Sequence, residues 1–221
     1  MYNCKMHDSS PFSQRSYFLN RLSDTVRRGD VCFDIGANIG FFAALMAAKA
    51  GPEGRAYAYE PVPETFKLLE INAKLAQQKA CSIVPKNAAV SGSHGVLTIH
   101  RGQYSTYHEV AAVEPGDRAE DQIPCVSLAD EFEENRVAQQ ASLVKIDVEG
   151  HELQVLQGAL PLLRARAIRR MVVEVTPGPG AQSIAAIVRE ARGSVRCWLD
   201  GDWKDAPIEQ LPLRSDVLVE F

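Results

Sequence analysis

VCFDIGANIG, residues 31–40, is the stretch that decides the fold. Five mostly apolar residues at 31–35 follow the Gly29-Asp30 break and run straight into a turn holding Gly36 and Gly40. A short apolar run between turn signals is what a parallel strand buried on both faces looks like. The next ten residues, FFAALMAAKA at 41–50, are apolar nearly all round and predict a buried helix, stopped by Gly51-Pro52-Glu53-Gly54. Strand, glycine turn and helix in that order form the opening unit of a parallel α/β sheet, whose ligands bind beyond the carboxyl ends of the strands.

Working outward, the same rhythm repeats. Residues 55–60 (RAYAYE) predict a second strand and 63–77 a second helix with Phe66, Leu69 and Ala73 along one face. A third strand is expected at 81–84. Further strands are expected at 143–148, 171–175, 195–199 and 217–221, with helices at 152–163 and 182–191. Alternation of this kind implies a mostly parallel sheet with helices on both faces. Upstream, Phe18, Leu19, Leu22 and Val26 share one stripe, so 1–28 reads as an N-terminal helical segment before a single domain over 29–221. Within that domain the pattern lapses at about 92–140, where a hairpin and a long irregular loop are expected, a common form for a lid.

Composition bounds the function. The chain has 221 residues, 46% apolar and 24% charged, with a net charge of −4, which argues against nucleic acid as a partner. No run of apolar residues is long enough to span a bilayer, no leader is evident, and the five scattered cysteines include no Cys-x-x-Cys pair. A cytoplasmic enzyme with no membrane partner is the expectation. The histidines show no metal-ligand spacing with one another, so no histidine metal site is predicted, and a magnesium site built from Asp147 and other acids is left open.

The chemistry gathers at strand ends. Asp34 closes the first strand, and Gly36 lets the chain turn and a ligand approach the backbone. Gly40 permits close helix–strand packing, and the helix after it offers N–H groups to a ligand. Glu60 ends the second strand about 20 residues later, where a carboxylate accepts hydrogen bonds from both ribose hydroxyls of an adenosine-type ligand. Lys145, Asp147 and Glu149 alternate along the fourth strand and its end, and His151 and Glu152 open the following helix. Asp147, Glu149 and His151 are the candidate catalytic groups, each able to take a proton from an acceptor hydroxyl. Glu174, His108 and Tyr104 are further residues that could line an acceptor pocket.

These segments, in order, resemble a known family. DIGANIGFF (34–42), YEPVPETFKLLEINAKL (59–75), NAAVS (87–91), LVKIDVEGHELQVLQGA (143–159) and MVVEV (171–175) are similar to the FkbM-type methyltransferases. The chain departs from them at Leu128-Ala129-Asp130, where many relatives carry Leu-Asp-Asp, and over 102–124. The resemblance implies a Rossmann-like class I methyltransferase fold, S-adenosylmethionine as cofactor, and O-methylation of a small-molecule acceptor. By position it implies that Asp34, Gly36, Ala37, Asn38 and Gly40 surround the methionine part of the donor. Glu60 and Pro61 would meet the ribose, Asn87 and Ala88 the adenine, and Asp147 would lie beside the methyl group. The residues agree, because acids at Asp34, Asp147 and Glu149 suit a cationic sulfonium and repel a pyrophosphate. An NAD(P)-dependent oxidoreductase and a non-catalytic adenosine-binding module remain the alternatives.

Overall fold

The computed structural model describes residues 25–101, 108–112, 122–135, 137 and 140–221. Tyr104 and residues 1–24 of the expected N-terminal helical segment lie outside these residues; its last four, 25–28, are not helical, because the chain turns there, the Arg27 N–H donating to the Asp30 carboxylate at 2.8 Å. Five parallel strands form one side of an eight-stranded sheet: β1 (Val31–Ile35), β2 (Arg55–Tyr59), β3 (Ile83–Lys86), β8 (Leu143–Ile146) and β9 (Arg170–Val175). Three antiparallel strands complete it, β10 (Ser194–Leu199), β11 (Asp202–Lys204) and β12 (Ser215–Glu220). The order across the sheet is β11-β10-β12-β9-β8-β1-β2-β3.

Period-two alternation distributes the strands between two cores. Phe33, Ile35, Tyr57, Tyr59, Val144, Ile146, Val173 and Val175 point to one face. There they meet the helices α3 (Leu128–Glu134), α4 (Glu152–Arg164) and α5 (Pro179–Glu190). Phe33 stacks between Tyr57, at 5.0 Å, and Phe132 of α3, at 4.8 Å. The residues in between, Cys32, Ala56, Ala58, Leu143 and Val172, face α1 (Phe41–Ala50) and α2 (Pro63–Gln77). Small residues dominate this second core, so α1 lies close to the sheet. Asp34 and Lys145 fall on that same side, and the β1–β8 register sets them directly opposite each other.

Two expectations need correction. The third strand spans 83–86 rather than 81–84, because Cys81 is still folded back on α2, its N–H donating to the Ala76 carbonyl. The segment after it contains the expected hairpin but builds it into a sheet. β4 (Ala89–Ser91), β5 (Gly95–Arg101), β6 (His108–Ala112) and β7 (Gln122–Ser127) form this second sheet in the order β4-β7-β5-β6, with β5 against β6 as the hairpin, and β7 leads directly into α3. Pro124 disguises β7 in the sequence, yet Ile123 and Cys125 on either side of it are buried with Ile99 in a small core of their own. Ser127 caps α3 by accepting a hydrogen bond from the Asp130 N–H at 3.1 Å.

Candidate active site

The turn after β1 is a run of backbone hydrogen bonds turned inward. Gly36 and Ala37 both donate to the Tyr59 carbonyl, at 3.0 and 2.8 Å, and Gly40 donates to the Ala37 carbonyl at 2.8 Å. The Asn38 N–H donates to Glu60 Oε2 at 2.9 Å, and the Ile39 N–H to the Asn38 side chain at 2.7 Å. Every N–H from Gly36 to Gly40 therefore has a protein acceptor. β2, Glu60 and the turn's own Asn38 and Ala37 oxygens take these five, whereas the N–H groups expected to face a ligand are those of the helix that begins after Gly40. Gly36, Asn38 and Gly40 adopt positive φ angles of 78°, 50° and 87°, which produce this tight wrap.

Glycine at 36 and 40 is required by the protein's own packing. A Cβ on Gly36 would stand 1.9 Å from the Asp147 carbonyl oxygen, so the turn rests against the end of β8. The Asp147 N–H in turn donates to the Ile35 carbonyl at 3.1 Å. A Cβ on Gly40 would meet Leu69 of α2 at 2.5 Å, so the packing there is helix against helix rather than helix against strand.

Glu60 lies at the centre of the glycine turn's support. Its second oxygen accepts the Val62 N–H at 3.0 Å, and only 6% of the residue is exposed. Burial pushes its carboxyl up to about 7, against the pull of the two N–H donors. Each oxygen accepts one N–H, leaving acceptor capacity on both. Asn87 supports the same corner, its amide donating to the Glu60 and Pro61 carbonyls at 2.8 and 3.0 Å, with Ala88 buried behind it.

Asp34 departs from its expected role as a direct contact. It is wholly buried, facing the Ala43 N–H of α1 and the Lys145 ammonium. Its counter-charge is Lys145, whose Nζ lies 3.8 Å from Asp34 and 3.0 Å from Asp147. Burial raises the Asp34 carboxyl, opposed by Lys145. Burial also works against the Lys145 ammonium, but the two acids hold it above its usual range, and it stacks 4.6 Å over the Phe42 ring. Lys145 is thus a fixed post between the glycine turn and the end of β8.

Past β8, Asp147 and Glu149 converge with Glu174 of β9, each bringing a carboxylate oxygen within 4.8 Å of the others. The cation among them is Arg214, at the start of β12, whose Nη2 touches Glu174, lies 2.7 Å from Glu149 and 3.9 Å from Asp147. No sequence motif marks Arg214, and it was missed. The surroundings separate the acids. Burial alone would raise Asp147, yet Lys145 and Arg214 hold it below the usual carboxylate range. Burial and the Asp147 charge push Glu174 up to about 7 despite Arg214. His151 is not among these groups. It is buried at the start of α4, its Nε2 2.9 Å from Ser91 Oγ, and burial lowers its pKa. Glu152 closes the turn by accepting the Val148 and Gly150 N–H groups. Of His108, only its place at the start of β6 is described.

Counting Asp34, Asp147, Glu149 and Glu174 against Lys145 and Arg214, four acids meet two cations around the carboxyl ends of the parallel strands. A surplus of carboxylates beside a turn with no spare N–H suits a ligand that is cationic and carries no phosphate at that turn.

Comparison with known proteins follows this geometry. Residues 34–196 match the family described as the methyltransferase FkbM domain. The chain is 28% identical over 171 residues to hexuronic acid methyltransferase AglP of Haloferax volcanii, covering 77% of this chain and 66% of that protein. It is 33% identical over 208 residues to the 31-O-demethyl-FK506 methyltransferase FkbM of Streptomyces tacrolimicus, covering 80% and 77%. Among solved structures it is similar to a methyltransferase FkbM from Methylobacillus flagellatus KT, with a TM-score of 0.56 and 13% identity over 88% of this chain. The chain spans 44% of that protein's length and just under two thirds of the AglP protein's.

Proposed function

The chain belongs to the methyltransferase FkbM domain family, and on that premise we propose that it transfers a methyl group from S-adenosylmethionine to an oxygen of a small-molecule acceptor. Its sheet is the Rossmann-like fold of the class I methyltransferases. The observation that carries the choice of donor is the glycine turn whose N–H groups are all taken, flanked by an excess of acids. A nicotinamide dinucleotide would need such N–H groups for its pyrophosphate and would meet repulsion from the carboxylates.

S-adenosylmethionine, when bound, supplies a methyl group on a positively charged sulfur, open to displacement by an oxygen nucleophile. Glu60 would accept the ribose hydroxyls with the lone pairs its backbone donors leave unused, and Pro61, Asn87 and Ala88 would line the adenine side. Asn38 and the turn from Gly36 to Gly40 would border the amino-acid part. Asp34 acts through Lys145, which it helps to hold against Asp147.

Proton handling divides between two acids. Asp147, held ionised by Lys145, is a weak base and contributes negative charge toward the sulfonium. Glu174, pushed to about 7, has the proton affinity to take a hydroxyl proton near neutral pH as the oxygen–carbon bond forms. Glu149 and Arg214 fix its position. The names of the relatives, a hexuronic acid methyltransferase and a methyltransferase of demethyl-FK506, support sugars, sugar acids and natural products as acceptors.

Calorimetric titration tests the donor. Binding of S-adenosylhomocysteine without binding of NAD is the expected result, and binding of NAD, or of neither, overturns the reading. Transfer of labelled methyl groups to a panel of hydroxylated sugars, uronic acids and macrolides then identifies the acceptor class.

A further inference from the structure

α2 carries apolar residues on its outer side as well as its inner one. Leu69 and Ala73 are buried against the sheet, whereas Leu68, Ile71 and Leu75 are 51%, 53% and 53% exposed. At 100° per residue the exposed three fall within one narrow stripe opposite the core face. Two further exposed apolar residues adjoin it. Ile39 and Phe41, at 44% and 60%, flank Gly40, and the Asn72 amide clips this turn to α2 through the Ile39 carbonyl at 2.8 Å. The turn that carries Ile39 and Phe41 is thus tied to the helix that carries the stripe.

The charges around the stripe choose its occupant. Lys67 and Lys74 border it on one side and Lys79 on the other, all exposed. The acids of the helix are Glu64, exposed at the N-terminal end of the stripe itself, and Glu70, half-buried and further round, so three lysines stand against one acid on the exposed face. A second copy of the chain docked on this stripe would bring like charges together. Antiparallel pairing sets Lys67 against Lys74, and parallel pairing sets Lys74 near Lys79. An anionic surface meets the same lysines favourably, their stems lying along apolar chains and their ammonium groups at headgroup level.

We propose that the outer face of α2, with Ile39 and Phe41, docks on anionic lipid bilayers. Among the described residues no helix is long and apolar enough to cross a membrane, but a helix lying in the interface needs only one apolar face. Docking in this way would set the rim of the candidate active site against the bilayer surface. The inference is independent of the methyl-transfer reading.

Sedimentation of the full chain with vesicles tests it, using phosphatidylcholine alone and phosphatidylcholine with about one third phosphatidylglycerol. The chain is expected to sediment with the anionic vesicles, less so as salt is raised, and at least about tenfold more weakly with neutral ones. Ile71→Glu, and Leu68→Glu with Leu75→Glu, should abolish sedimentation while leaving the melting temperature and S-adenosylhomocysteine affinity unchanged, since these side chains face outward. Lys67→Gln with Lys74→Gln should remove the preference for anionic lipid. No sedimentation with either vesicle, equal binding to both, or a dimer in sedimentation velocity that Ile71→Glu dissolves would overturn it.

Discussion

Replacing Gly36 by alanine tests the contact on which the site is built. The new methyl would lie 1.9 Å from the Asp147 carbonyl oxygen and 2.9 Å from its carbon, against an ordinary separation of more than 3 Å. Either β8 or the turn must move by about 1 Å, a displacement that typically costs about 1–3 kcal/mol in a packed interior. The backbone at φ +78° adds about 1–2 kcal/mol for any residue with a Cβ. Gly29 separates the two contributions, because its φ is +83° and nothing stands within 4 Å of its would-be Cβ. Gly29→Ala therefore carries the backbone cost alone. In a chain of this size each kcal/mol lowers the melting temperature by about 2–4 °C, so Gly36→Ala should melt some 2–12 °C below Gly29→Ala. Scanning calorimetry of the two variants beside the parent measures the difference. Equal melting temperatures would refute the described contact between the turn and the end of β8. A second consequence is weaker binding of S-adenosylhomocysteine in Gly36→Ala only, as the turn and Asp147 are forced apart.

Glu60→Gln should flatten the dependence of melting temperature on pH. With its folded value near 7 and an ordinary value of 4.5, the folded chain holds a proton that the unfolded chain has lost, so stability falls as pH rises through that window. Some slope remains in the variant because Glu174 is shifted in the same direction; indistinguishable profiles for variant and parent would remove the burial argument. The same variant should bind S-adenosylhomocysteine about tenfold or more weakly by calorimetry, the loss of a charged acceptor. Glu174→Gln should lower turnover about 100-fold on a hydroxyl acceptor, keep donor affinity, and abolish the fall in rate on the acid side of about pH 7; an unchanged pH profile would assign the proton elsewhere. Arg214→Met should leave Glu149 and Glu174 facing Asp147 uncompensated, so its melting temperature should fall by several degrees at pH 8 and by less at pH 5. A loss that is the same at both pH values would mean the guanidinium acts only through packing.

The parts of the fold written in short-range pattern were legible. Apolar runs marked the inner strands, and α2 occupies 63–77 as its periodicity indicated, with Pro63 opening it. β7 was hidden by Pro124, and β11 is only three residues long. At the site, sequence order alone put Asp34, Glu60 and Asp147 at strand ends, since a parallel sheet aligns those ends whatever its details. What each does depends on register and packing, which no local pattern carries. Asp34 faces Lys145 because of the β1–β8 offset, and that pairing turns it from a ligand contact into a support. His151 is tied to Ser91 because α4 packs on β4, elements separated in sequence by the other three strands of the second sheet, α3 and β8. Arg214 reaches the acids because β12 runs against its neighbours, so the beginning of that strand, not its end, adjoins the site.

That reversed strand has a bearing on how the chain assembles. β12 follows β10 and β11 in order of synthesis, yet in the finished sheet it is wedged between β9 and β10. The β10–β11 hairpin emerges first and has no seam on which to settle until β12 slots in beside β9. Until that moment Asp147, Glu149 and Glu174 also lack their shared guanidinium. One late-arriving segment thus acts as keystone for both the framework and its electrostatics. Ribosome-bound chains stopped short of residue 214 are expected to stay protease-sensitive from β10 onward, while β1 to β3 are already protected.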